Sequence, residues 1–163
     1  MKLLAFGSNR DFRGLRPKLV IERAYTLLEE YPIKIVKKSR FYQTLPFGFV
    51  DDHLFINSVI EIKTELSALR LLDIILNIEK SLGRIRLQDK NKSRTLDIDI
   101  LIFEELIRSD ERLIIPHPRM WSRDFVLTPL SDIVEQIKNP LSGEIINLKP
   151  YSEKIEEIKD EEN

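Results

Sequence analysis

Two helical periodicities set among four strand-like segments predict an α+β fold with a ferredoxin-like βαββαβ core and a C-terminal extension of short strands and helices. Three observations carry that expectation. Short apolar runs alternate or end at turn residues, a capped amphipathic run occupies 68–82, and the pieces follow one another in the order strand, helix, strand, strand, helix, strand.

The first segment, KLLAF at 2–6, closes at Gly7-Ser8-Asn9 and predicts a buried strand running into a turn. Val20, Ala24, Leu27, Leu28 and Tyr31 recur on one helical face, and Pro32 stops that helix. IKIVKKSRFYQT at 33–44 opens with the alternation Ile33, Ile35 and predicts a second strand. After a loop with Pro46 and Gly48, LFINSVIEIKT at 54–64 puts Leu54, Ile56, Ser58, Ile60 and Ile62 on one side. Phe55, Asn57, Val59 and Glu61 take the other, which predicts a half-buried strand with one apolar face.

Ser67 is placed to cap the helix over 68–82, and Gly83 to end it. A polar loop at 84–94 precedes TLDIDILIF, whose Leu96, Ile98, Ile100 and Ile102 share one face by strict alternation. The sheet is expected to be antiparallel with two helices on one side. Beyond it, ELIRSDERLIIPHPRM predicts a short hairpin, RDFVLTPLSDIVEQI turns and short helices, and GEIINLKP a last strand.

Composition narrows the function classes. The 163 residues suit a single catalytic domain over 1–152, and 42% are hydrophobic. The chain has no cysteine and two histidines, His53 and His117, which excludes disulfides, thiolate catalysis, cysteine zinc sites and histidine-rich metal centres. Net charge is -1, against a surface built wholly for nucleic acid. No signal peptide and no run approaching the ~18 apolar residues of a membrane span can be read, so the expected location is cytoplasmic; no long apolar surface stripe is left over, so the expected state is a monomer. The segment 153–163 carries six acidic and two basic residues and is expected to be frayed or a solvated helix.

The chemistry concentrates in RTLDIDI. On a strand, Asp97 and Asp99 point to one face with Cα atoms roughly 6–7 Å apart, a spacing that suits two metal ions. Oxygen ligands favour magnesium, which usually arrives with substrate phosphates. A solvent-facing pair on an amphipathic strand is the structural alternative. Just upstream, Arg84, Arg86, Lys90, Lys92 and Arg94 face one acid, Asp89, a composition that suits a clamped polyphosphate or an ordinary solvated loop. Pro116-His117-Pro118 fixes the backbone of a histidine. Arg119 and Arg123 follow, the latter near Phe125, an aromatic equally suited to a flat ring or to the core. Gly7-Ser8-Asn9 reads more simply as a turn than as a ligand loop.

In order along the chain stand GSN at 7–9, SRFYQTLPFG at 39–48, FIN at 55–57, IEKSLGRIR at 78–86, RTLDIDIL at 94–101, IPHPRM at 115–120 and RDFVLTPL at 123–130. Together they resemble the 6-hydroxymethyl-7,8-dihydropterin pyrophosphokinases of folate biosynthesis over roughly residues 2–135. The resemblance implies transfer of diphosphate from ATP to the pterin hydroxymethyl group, releasing AMP. It implies two Mg2+ ions on Asp97 and Asp99, with Asp97 a candidate for taking the proton. Arg84 and Arg94 would grip the transferring diphosphate, and His117 and Arg123 would contact phosphates. Phe55 and Phe125 would sandwich the pterin, Asn57 would bond its edge, and backbone groups of Thr44 and Phe47 would complete its recognition. Glu79, Ile100, Arg112, Leu113 and Ile114 would lie near the nucleoside. Asn91 stands where the family often has a tryptophan that closes over the pterin, and Ile114 where a threonine can occur.

Two other classes fit parts of the pattern. A palm-like nucleotidyltransferase also pairs strand aspartates with two metals, but releases pyrophosphate instead of AMP. A ferredoxin-like RNA-binding module would need exposed aromatics on its central strands, where the first strand offers only Phe6.

Overall fold

The computed structural model of the chain describes residues 1–44, 54–84, 94–149 and 155–159. Pro46, Phe47, Gly48, His53, Arg86, Asp89, Lys90, Asn91 and Lys92 lie outside the described residues. The core elements are β1 (Lys2–Ser8), α1 (Pro17–Leu28), β2 (Ile33–Lys38), β3 (Tyr42–Thr44), β4 (Phe55–Thr64), α2 (Ala68–Ser81) and β5 (Asp97–Phe103). A hairpin of β6 (Arg108–Ser109) and β7 (Ile114–Ile115) follows, then a 3-10 turn (Met120–Ser122) and α3 (Asp124–Ser131). A second hairpin, β8 (Gln136–Lys138) with β9 (Ile145–Asn147), precedes β10 (Ile155–Glu157).

The main sheet is antiparallel in the order β10-β3-β4-β1-β5, with β2 also paired to β4. Apart from the added edge strand β10, this is the ferredoxin-like order expected from the sequence. One face packs Leu4, Phe6, Ile60, Ile62, Ile98 and Ile100 against α1 and α2. Pro17 opens α1 at a position where a missing N–H costs nothing. The Ser67 hydroxyl accepts the Arg70 N–H at 3.2 Å and caps α2, an arrangement whose loss typically costs ~1 kcal/mol. Gly83 follows with φ +87°, and a Cβ there would stand 2.5 Å from the Phe12 ring, so the chain turns off α2 where a side chain would collide.

Four departures from the expected elements have physical causes. The strand at 33–44 is two strands, because Lys38 pairs with Ile60 but Tyr42 with Asn57, so the ladder to β4 slips by one residue across 39–41. Ser39 bridges the break: its N–H donates to Val59 O, and its hydroxyl accepts the Val59 N–H, both at 2.9 Å.

Strand β4 is buried on both faces, not one. Val59 packs with Leu3, Ala5, Met120, Val126 and Leu130 in a second core beneath the 3-10 turn and α3. Alternation shows which side chains share a face, but not that a later segment will cover the second one.

Strict alternation along β5 also fails. The register with β1 shifts between Leu3 and Leu4, so Leu4 pairs with Ile100 while Leu3 pairs with Ile102. Ile102, expected beside Ile98 and Ile100, therefore joins the second core, and Phe103 takes the helix-covered side.

Part of the segment 153–163 is neither frayed nor helical. Ile155–Glu157 pairs antiparallel with β3, and Ile155 is 7% exposed. Its apolar–acidic pattern is too short for periodicity to announce a strand. The pairing depends on a partner more than 100 residues away.

Candidate functional site

The strand register assembles the site. Cross-strand partners share a sheet face, and Tyr42, Asn57, Gly7 and Asp97 form one continuous row over β3, β4, β1 and β5. The next row on that face joins Val59, Ala5 and Asp99. Asn57 and Asp97 therefore stand two strand spacings apart, about 10 Å, on the face that α3 covers farther along. The gap between them is lined by Gly7. A Cβ there would lie 3.4 Å from the Asn57 side-chain oxygen and 3.8 Å from the Phe55 ring, so glycine leaves the floor open.

Cations ring the acid pair. The Arg84 guanidinium pairs with Glu79 and lies 2.6 Å from Asp97 Oδ1, and Arg94 Nη1 lies 3.0 Å from Asp97 Oδ2. Asp99 has looser company, with His117 Nε2 at 3.7 Å and Arg123 Nη1 at 4.0 Å. Burial, and next the neighbouring Asp97 charge, push the Asp99 carboxyl up to about 7, although a third of its side chain meets solvent. His117 is pushed down to about 4, first by burial and then by Arg123. Its Nδ1 accepts the Arg119 N–H at 3.1 Å, so the neutral ring carries its proton on Nε2, the nitrogen facing Asp99.

Several predicted residues hold these groups in place. Glu79, 1% exposed, lies beneath Arg84 and accepts the Ile98 N–H at 3.1 Å, between the two aspartates. The Arg84 guanidinium is held above the ordinary arginine value: burial opposes its charge, and Asp97 and Glu79 outweigh that. Asn9 brackets Arg94, its side-chain oxygen accepting the Arg94 N–H at 2.8 Å and its N–H donating to Arg94 O at 3.1 Å. The Ser8 hydroxyl donates to Thr95 O at 2.5 Å. Gly7-Ser8-Asn9 is thus a clamp on the entry to β5, which the turn reading missed. Two polar residues closing an apolar strand were the signal, but the partner 85 residues on was not readable.

At the other end, Asn57 Nδ2 donates to Thr44 Oγ1 at 3.0 Å, joining two predicted residues. Phe125, at the start of α3, packs against the second core, and the Arg123 guanidinium lies 5.4 Å from its ring centroid. Phe47 lies outside the described residues. Of the residues expected near the nucleoside, Ile100 and Leu113 bury their side chains in the helix-covered core, Ile114 is exposed, and Arg112 reaches Asp73 on α2 at 2.7 Å. The His117 N–H donates to Leu101 O at 2.8 Å, tying the PHP segment to β5.

The acid pair suits a hard divalent cation. It offers only carboxylate oxygens, and one of the two carboxylates is costly to charge as it stands. Among the described residues no group of three or more acidic, histidine or cysteine ligands occurs, so further ligands would come from substrate oxygens or water. Two cavities among the described residues, of about 400 and 390 Å³, lie away from this site, beside the α1–β2 turn and between α1 and Phe41.

Fold and site together define a ferredoxin-like α+β protein with an acid pair ringed by cations on the open end of its sheet. Residues 3–135 match the profile of the family described as 7,8-dihydro-6-hydroxymethylpterin-pyrophosphokinase, and the chain belongs to that family. The 2-amino-4-hydroxy-6-hydroxymethyldihydropteridine pyrophosphokinase of Bacillus subtilis is 39% identical over 136 residues, 83% of this chain and 78% of the relative. Its Haemophilus influenzae counterpart is 43% identical over 114 residues, 70% and 71% of the two chains. A crystal structure of Plasmodium falciparum HPPK-DHPS with pteroate superposes with TM-score 0.63 at 18% identity, over 87% of this chain and 40% of that one, a likeness of fold.

Proposed function

We propose that the chain transfers diphosphate from ATP to the hydroxymethyl group of 6-hydroxymethyl-7,8-dihydropterin, giving AMP and the pterin diphosphate for folate biosynthesis. Family membership supports the reaction. The observation that carries the site assignment is the row Tyr42–Asn57–Gly7–Asp97, which puts an amide suited to a pterin edge and the acid pair on one face.

In this reading Phe55 and Phe125 hold the pterin plane, while Asn57 and the backbones of Thr44 and Phe47 fix its edge. That orientation turns the hydroxymethyl group along Gly7 toward Asp97 and Asp99. The two aspartates would hold two Mg2+ ions, which would supply charge neutralisation and lower the pKa of the hydroxyl. Arg84 and Arg94 move their charge from Asp97 to the diphosphate as it transfers between oxygens, and Glu79 keeps Arg84 on station from below. His117 offers an Nε2–H and Arg123 a guanidinium to the phosphates. Ile100, Leu113 and Ile114 present backbone groups to the nucleoside, with Arg112 at its rim. Asp97 accepts the hydroxyl proton.

The reading asks for no nucleic acid and no membrane. Among the described residues no helix is long and apolar enough to cross one. A monomer is sufficient because one chain supplies every residue, and a cytoplasmic location gives access to ATP. The test is AMP formation from ATP and magnesium with and without the pterin. AMP that requires the pterin and disappears on chelation is the expected result. Pyrophosphate release in place of AMP would mark a nucleotidyltransferase instead.

A further inference from the structure

We propose that the strand Ile155–Glu157, outside the family-matching region, is a positioning element for the pterin end of the site. This rests on the reading of that site given above. Strand β3 has three residues, and one of them, Thr44, accepts the Asn57 amide at 3.0 Å. Without β10, β3 would be a short sheet edge next to residue 45, with its outer N–H and C=O groups left to water.

Strand β10 covers that edge in register, Ile155 opposite Thr44, Glu156 opposite Gln43 and Glu157 opposite Tyr42. The Ile158 N–H donates to Phe41 O at 2.8 Å and extends the ladder by one residue. Side chains repeat the connection: Gln43 Nε2 donates to Glu156 at 2.9 Å, and Arg40 Nη1 meets Glu157 at 2.8 Å.

The same strand reaches the opposite wall. Arg40 also pairs with Asp132 at 2.8 Å, and Asp132, the residue ending α3, accepts the Tyr42 hydroxyl at 2.9 Å. Helix α3 begins with the segment that carries Phe125. One short strand therefore braces Thr44 and, through Arg40 and Asp132, the helix bearing Phe125. Their separation sets the width of a slot for a flat ring. None of these ties touches the Arg84–Asp97–Arg94 cluster, and the one phosphate-end group on the braced helix is Arg123 at its N-terminus, so the brace bears mainly on the pterin.

The test compares the full chain with full-length Ile158→Pro, which removes one ladder bond, and with a chain ending at Lys149. AMP formation is measured while each substrate is varied, and thermal unfolding is followed in parallel. The shortened chain is expected to raise KM for the pterin about tenfold while KM for ATP stays within about twofold, with Ile158→Pro intermediate. A merely stabilising strand would lower the unfolding temperature and leave both KM values alone. That result, or both KM values rising together, overturns the inference. Fluorescence titration of the full chain with the pterin separates the two levels: no binding there overturns the reading of the site, and the inference with it.

Discussion

The proposed phosphate end and the proposed pterin end of this site hold their side chains by different forces. Around Asp97 the restraints are ionic: Glu79, Arg84, Asp97 and Arg94 lie in one chain of alternating charge. Beside Asn57 itself they are neutral, a glycine gap, an amide–hydroxyl bond and a strand ladder, and the Arg40 ion pairs to Asp132 and Glu157 stand back from the slot. Charges facing a polyphosphate must exchange partners when it arrives, and an ion pair can do so without moving the backbone. A flat heterocycle is recognised by fixed edges, so its end is built from geometry. The lesson is that substitutions at the first end should change turnover, and those at the second should change affinity.

The largest expected effect is that of Asp97→Ala, which should lower kcat by at least about a thousandfold in AMP assays while the protein stays folded by circular dichroism. Near-normal turnover would remove the metal role and break the comparison. Arg84→Ala should lower kcat about a hundredfold with little change in the pterin KM. Glu79→Ala should show the same bias toward kcat and, because it leaves a buried guanidinium short of a partner, cost about 3 kcal/mol in denaturant unfolding.

Asn57→Ala should do the reverse, raising the pterin KM about tenfold with kcat within a few-fold. A matching fall in kcat would show that the two ends are not separable. The smallest effect is pH-dependent stability through Asp132. Burial raises its carboxyl, but the Arg40 hydrogen bonds outweigh that and hold it below the usual carboxylate range. Its stabilisation is present above an unfolded value of about 4 and is lost as pH falls through the lower folded value. The gap in unfolding temperature between the native chain and Asp132→Asn should therefore close as pH drops below about 4.

The parts legible in the sequence were those that local rules control. Val20, Ala24, Leu27 and Leu28 announced α1, Ser67 and Gly83 bounded α2, and the alternation of Asp97 and Asp99 put both carboxylates on one face. The unreadable parts depend on distant partners. The cover over Val59 comes from α3, the Asn9 clamp closes on Arg94, and the acidic segment becomes a strand because β3 has a free edge. Motif resemblance named the candidate residues of the site. It did not say that Asn57, Gly7 and Asp97 lie in one row, which only register supplies.

The extra residue in β5 has a consequence for how that strand tolerates change. Before Leu101 the strand is written in one phase, with acids on the site face and Ile98 and Ile100 in the core. After it the phase is reversed, with Ile102 on the site side of the sheet and Phe103 among the helices. Chemistry and packing thus occupy separate reading frames of one strand. Deleting Leu101 would remove the slip and leave both halves on their present faces, whereas deleting or inserting a residue within either half would turn part of that half to the opposite face.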